Sequence, residues 1–161
     1  MTPETTGLHH ATAIAGDLQR NADFYVGVLG LQFVKRTVND DDTGTYHFYF
    51  GDAEGTPGTN ITFFRWTETG RAGQFGAGQT RTDACNVSEA SLDYWTDRLE
   101  AEGVSVERTE RFGETVLAFE GPDGIGLELG TSLVLPDHIE PERETIERQL
   151  PEFDASWIPG V

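Results

Sequence analysis

Four histidines occur in this 161-residue chain, and two of them, His9 and His10, are adjacent in the stretch Leu8-His9-His10-Ala11-Thr12-Ala13-Ile14. The stretch reads as a short β-strand. Side chains alternate faces along a strand, so His10 shares a face with Leu8 and Thr12, and His9 points the other way. One imidazole can then face an interior site, and imidazole is a common ligand for Fe, Mn, Zn and Ni. The competing reading is two histidines satisfied by hydrogen bonds. A second candidate is Glu128, in Gly126-Leu127-Glu128-Leu129-Gly130. A carboxylate in a strand between leucines needs a partner, because an unpaired buried charge is costly. The flanking glycines leave room beside it for a metal or ligand. Against this, Glu128 could lie on the solvent face of an edge strand.

The elements that carry these residues are organised by an internal repeat. Asp23-Phe24-Tyr25 is echoed by Asp93-Tyr94-Trp95, Leu29 by Leu99 and Gly51 by Gly121, all at one offset. Such self-similarity signals a duplicated supersecondary unit. In each copy a strand (8–15, then 80–87) leads into a helix (17–29, then 88–102). Leu18, Ala22, Tyr25 and Leu29 fall at helical spacing in the first. Asp17 and Ser88 are N-cap candidates, and Gly30 and Gly103 are stops. Three strands follow: 32–38, 45–50 and 59–66 in copy one, and 104–109, 114–119 and 124–129 in copy two. Each copy is β-α-β-β-β. The fold class is therefore α+β, two such modules whose sheets curve around a cleft, with first and last strands of a module side by side. Residues 1–135 form one domain with modules at 7–68 and 79–130, joined by a Gly-rich linker or lid at 70–79. The tail, 136–161, carries a short helix after Pro141.

Composition narrows the possible partners. Asp and Glu number 28 against 11 Lys and Arg, a net charge of −17. Of those bases only Lys35 is a lysine. Self-repulsion of this size works against compactness unless salt screens it, so the charge predicts a protein adapted to high salt. It argues against nucleic acid, whose phosphates would be repelled. No apolar run approaches the roughly 20 residues that span a bilayer, no signal peptide is evident, and the single cysteine, Cys85, allows no intrachain disulfide. A cytoplasmic location is expected, without a membrane partner.

The duplicated module, the first-strand His and the last-strand Glu resemble the vicinal oxygen chelate superfamily of glyoxalases, fosfomycin- and bleomycin-resistance proteins and extradiol dioxygenases. Residues 7–66 narrow this further. Gly7 to Ile14, Phe24-Tyr25, Val28-Leu29-Gly30-Leu31, Val34 to Asn39, Thr45 to Asp52 and Gly55-Thr56-Pro57-Gly58 are similar to hydroquinone-type ring-cleaving dioxygenases. The resemblance implies a mononuclear Fe(II) or Mn(II) site, other divalent metals being possible, with two His and one Glu on one face and open positions for substrate oxygens and O₂. It implies His10 as the first-strand ligand and Glu128 as the last-strand ligand. His9 and Thr12 would lie beside them in the pocket, and Arg111 stands where the family has an Arg able to hold an anionic oxygen.

The chain also departs from that family, whose members are about twice as long and draw the second His and the Glu from their last module. The first strand of copy two, Thr80 to Cys85, has no His, and a family Tyr maps onto Ala118. His47, on a central strand, is the better remaining candidate for a third ligand; two protein groups plus water are the alternative. The length implies a homodimer. Three functions are open: a metal-dependent dioxygenase acting on a hydroquinone or catechol, a non-catalytic module that sequesters an aromatic or quinone-like compound, and a structural protein that has lost the chemistry. Tyr46, Phe48, Tyr49, Phe50, Phe63, Phe64 and Trp66 could line an aromatic pocket, with Tyr49 in contact with substrate, although a packed sheet core accounts for most of them.

Overall fold

Asp17 opens the first helix as its type and position predict: its Oδ1 accepts from the backbone N–H of Gln19 at 2.8 Å and of Arg20 at 3.1 Å, which satisfies two donors the helix itself leaves unpaired. The computed structural model describes residues 7–39, 43–65, 74–111 and 113–131. In order these form β1 (His10–Ala15), α1 (Leu18–Ala22) continued by a π-helical turn (Asp23–Val28), β2 (Gln32–Val38), β3 (Tyr46–Gly51) and β4 (Asn60–Arg65). The second module has β5 (Thr82–Asn86), a 3₁₀ turn (Glu89–Ser91), α2 (Leu92–Ala101), β6 (Val106–Arg111), β7 (Glu114–Glu120) and β8 (Gly126–Gly130). This is the α+β fold of two β-α-β-β-β modules. The expected tail helix and Trp66 lie outside the described residues.

Each module forms a four-stranded mixed sheet, in the orders β1-β4-β3-β2 and β5-β8-β7-β6. First and last strands pair in parallel in both, with Thr12 opposite Thr62 and Ala84 opposite Glu128. Gly30 and Gly103 end the helices at φ of 73° and 74°, a left-handed conformation that costs glycine little. Two local expectations need correction. Ser88 makes no side-chain cap; its carbonyl instead accepts from the Ser91 N–H and hydroxyl. The first helix is not α-helical throughout, since Leu29 N–H reaches back five residues to Phe24 at 3.1 Å.

That first helix lies between the core faces of the two sheets, and two successive aromatic residues serve both. Tyr25 packs on Phe50 and Phe63 of the first sheet, with ring centroids 5.5 and 4.8 Å away, while Phe24 packs on Phe119 of the second at 6.5 Å. Leu117, Leu127 and Leu129 from the second sheet join Ala15, Phe50, Ile61 and Phe63 from the first in one buried core. Period-two alternation then turns the opposite faces outwards. His10, Thr12, Thr62 and Tyr49 lie on one outer face, and Glu128 with Ala84 and Ala118 on the other.

Polar contacts lock the modules together. Asp123, in the turn before β8, accepts from Gly16 N–H at 3.0 Å and from the buried Asn21 Nδ2 at 2.9 Å. Arg98 of α2 donates to the carbonyls of Val28 and Gly27 where the first helix ends. Burial, with Asp123, Asp83 and Cys85 nearby, raises the Tyr25 phenol pKa, so this hydroxyl stays protonated in the core. Among the described residues, no helix is long and apolar enough to cross a membrane.

Candidate functional site

Strand register gathers a polar cluster on the outer face of the first sheet. Thr12 of β1 pairs with Thr62 of β4, which pairs with Tyr49 of β3, which pairs with Lys35 of β2. His10 precedes Thr12 by two residues and His47 precedes Tyr49 by two, so both share this face. Thr62 is fully buried at the centre, its hydroxyl 2.9 Å from Thr12 Oγ1 and 2.9 Å from His47 Nε2. The Tyr49 hydroxyl lies 3.0 Å from His47 Nδ1. Both ring nitrogens of His47 are thus in hydrogen bonds, and its ring stacks on Phe64 at 3.8 Å.

His10 is placed differently. Its Nδ1 lies 2.8 Å from His9 Nδ1, and Nε2 has no hydrogen bond among the described residues. The His10 ring stands 5.9 Å from Tyr49 and 6.4 Å from His47. Lys35 Nζ lies 4.3 Å from the centroid on the Tyr49 ring, a cation–π contact. Of the predicted aromatic lining, Tyr49 and Phe64 are on this face. Phe48, Phe50 and Phe63 point to the helix side, where core packing uses them.

Glu128 and Arg111 come together on the outer face of the second sheet, with Arg111 Nη2 3.3 Å from Glu128 Oε1. Here the structure corrects one expectation. The glycines beside Glu128 do not open a ligand space: a side chain at Gly126 would meet Arg81 O and Thr82 Oγ1 at 2.8 Å, and one at Gly130 would meet Val116 at 3.5 Å. Those glycines allow close strand packing. Glu128 lies between Ala84 and Ala118 on the neighbouring strands.

The predicted residues therefore form two groups, His10, Thr12, His47 and Tyr49 on one sheet and Arg111 with Glu128 on the other; His9 precedes β1, so strand alternation does not turn it away and its ring meets His10. Among the described residues, no three His, Cys, Asp or Glu side chains come together as a metal would require. Within one copy the predicted donors do not fit such a site: His47 is bonded at both nitrogens and Glu128 is held by arginine. The sheets differ in charge as well. Strands β1 to β4 contain no carboxylate, whereas β5 to β8 contain Asp83, Glu107, Glu110, Glu114, Glu120 and Glu128. Thr62, the buried centre of the cluster, holds the place on the last strand of module one that Glu128 holds in module two. In the sequence Lys35 stands out only as the single lysine.

Residues 7–129 match the family model described as Glyoxalase/Bleomycin resistance protein/Dioxygenase superfamily. MhqO of Bacillus subtilis, named as a ring-cleaving dioxygenase, is 49% identical over 129 residues, 80% of this chain and 41% of that protein. The chlorohydroquinone/hydroquinone 1,2-dioxygenase of Sphingobium indicum is 40% identical over 126 residues, 76% of this chain and 39% of that protein. A crystal structure of a Bacillus subtilis protein described as a dioxygenase superposes with a TM-score of 0.76 at 47% identity, covering 81% of this chain and 42% of that one. The chain spans about two fifths of the length of these relatives. On the family match and these identities, the chain belongs to the Glyoxalase/Bleomycin resistance protein/Dioxygenase superfamily.

Proposed function

We propose that this chain carries the His10 half of a ring-cleaving dioxygenase site for a hydroquinone or catechol-type aromatic, and that a second copy completes the site in a homodimer. The observation that carries this is the outward placement of His10, with Nε2 unbonded among the described residues and Tyr49 beside it, while Glu128 lies on the outer face of the other sheet of the same copy. Joining one copy's first sheet to another's second sheet would bring His10 to Glu128. The carboxylate-free first sheet and the acidic second sheet are complementary for such a contact. The names of the relatives support an aromatic substrate and O₂.

In this reading His10 from one subunit and Glu128 from the other, once its carboxylate turns from Arg111, would hold Fe(II), Mn(II) or another divalent metal, which would supply Lewis acidity and a template for substrate oxygens. His9 orients the His10 ring, Thr12 and Tyr49 line the pocket for the aromatic ring, and Arg111 is placed to hold an anionic oxygen. His47 acts through Tyr49 and Thr62, and would serve as a ligand only by giving up one of those bonds. The high acidic charge suits a protein that works in the cytoplasm at high salt. A second reading, a module that binds an aromatic compound without turnover, is favoured by one observation, the alanines at positions 84 and 118 that leave Glu128 without further donors. Anaerobic reconstitution with Fe(II) or Mn(II), metal analysis and oxygen uptake with hydroquinone separate the two. Uptake that disappears in His10→Ala supports the enzyme. A ligand-induced rise in melting temperature without uptake supports binding alone.

A further inference from the structure

We infer that Lys35 selects ring substrates that carry a carboxylate, an inference that rests on the ring-binding reading above. Among the strands of the first sheet the bases are Lys35, Arg36 and Arg65. Only Lys35 shares the face of His10: Arg36 pairs with Phe48, and Arg65 with Ala15, on the helix side. The Tyr49 ring lies between the two groups, 5.9 Å from the His10 ring and 4.3 Å from Lys35 Nζ. An aromatic ligand lying along Tyr49 with its hydroxyls towards His10 would turn its far edge towards the ammonium group.

Charge makes this position selective. The protein carries −17 overall, so at low salt an anionic ligand is repelled and needs a local cation to bind, and at high salt only a cation in direct contact still attracts it. Lys35 supplies that cation where the four surrounding strands hold no carboxylate to neutralise it. The ion pairs among the described residues are Arg108 with Asp93 and Arg111 with Glu128, and neither uses Lys35. Every other base in the chain is arginine. An ammonium is a compact charge on a flexible stem, able to move from the Tyr49 face to a carboxylate.

The test uses the whole 161-residue chain loaded with Mn(II) under argon, with calorimetric binding of hydroquinone and of 2,5-dihydroxybenzoate to the wild type, Lys35→Arg and Lys35→Gln. The inference predicts that the wild type prefers the carboxylated ring, that Lys35→Arg retains the preference, and that Lys35→Gln reduces the preference ratio at least about fivefold. Equal preference in the wild type, or an unchanged ratio in Lys35→Gln, overturns the role of Lys35 while hydroquinone binding keeps the ring-binding reading intact. Binding of neither ring by the wild type overturns both.

Discussion

Arg111 Nη2 lies 3.3 Å from Glu128 Oε1 on the outer face of the second sheet, with Ala84 and Ala118 directly across from the carboxylate on either side. The pair gives a partner to a Glu side chain that is only 17% exposed. Arg111 is half exposed, so the pair contributes little to folding. Arg111→Gln should lower unfolding free energy by no more than about 1 kcal/mol, measured by urea denaturation. A loss of several kcal/mol would make the pair a structural anchor and count against a role in a site.

Asp123 joins the modules by accepting from Gly16 and Asn21. Asn21 is fully buried, and its Oδ1 already has no hydrogen-bond partner among the described residues. Asp123→Ala would leave its Nδ2 unsatisfied as well. The expected cost is about 1–3 kcal/mol, seen as a lower midpoint in denaturant. An unchanged midpoint would show that the turn does not hold the modules together.

Asp83 provides a pH-dependent test of the core. Burial raises its carboxyl pKa above the ordinary aspartate value of 3.8. The folded state therefore binds the proton more tightly than the unfolded state, and a raised carboxylate pKa destabilises the fold once pH is above it. Well below the ordinary aspartate value both states are protonated and the penalty is absent. Asp83→Asn should accordingly melt higher than the wild type at pH 7, and the gain should shrink as pH falls towards 3.8. A pH-independent difference would contradict this. Cys85, whose thiol is also pushed up by burial and by Asp83, should react slowly with thiol reagents at pH 8 until the protein unfolds.

Thr62 is the buried centre of the His47–Thr12 network. Thr62→Val keeps the shape and removes the hydroxyl, so Thr12 and His47 each lose their hydrogen bond to it. A destabilisation of about 1–3 kcal/mol is expected, with a changed His47 imidazole signal in NMR. Thr62→Ser should restore both. Equal effects of the two substitutions would mean that packing, not the hydroxyl, matters at this position.

Much of this fold was legible because its signals are local. Alternation along Leu8–Ile14 put His10 on one face with Thr12, the pattern Gly126–Gly130 set Glu128 between two leucines, and the offset between Asp23 and Asp93 revealed the repeat. Asp17, Gly30 and Gly103 marked helix ends through their backbone requirements. The site was less legible because it depends on register between strands. The Arg111–Glu128 pair spans β6 to β8, and Thr62 is chemically too ordinary to stand out. The π-helical turn at Asp23–Val28 answers to packing on two sheets at once, which a single-face periodicity does not encode. The glycines around Glu128 were misread as ligand space because their neighbours lie on other strands.

The central claim is that His10 and Glu128 act together only across two copies, and subunit mixing tests it directly. His10→Ala and Glu128→Gln proteins, each prepared with Fe(II) or Mn(II) under argon, are assayed alone and after dissociation and joint reassembly. Each variant alone should lack oxygen uptake with hydroquinone. A random mixture should recover about one quarter of wild-type activity, because half the dimers are hybrids and each hybrid restores one of its two sites. No recovery in mixtures proven by mass to contain hybrid dimers, or activity in a wild-type protein that stays monomeric, would contradict the shared site.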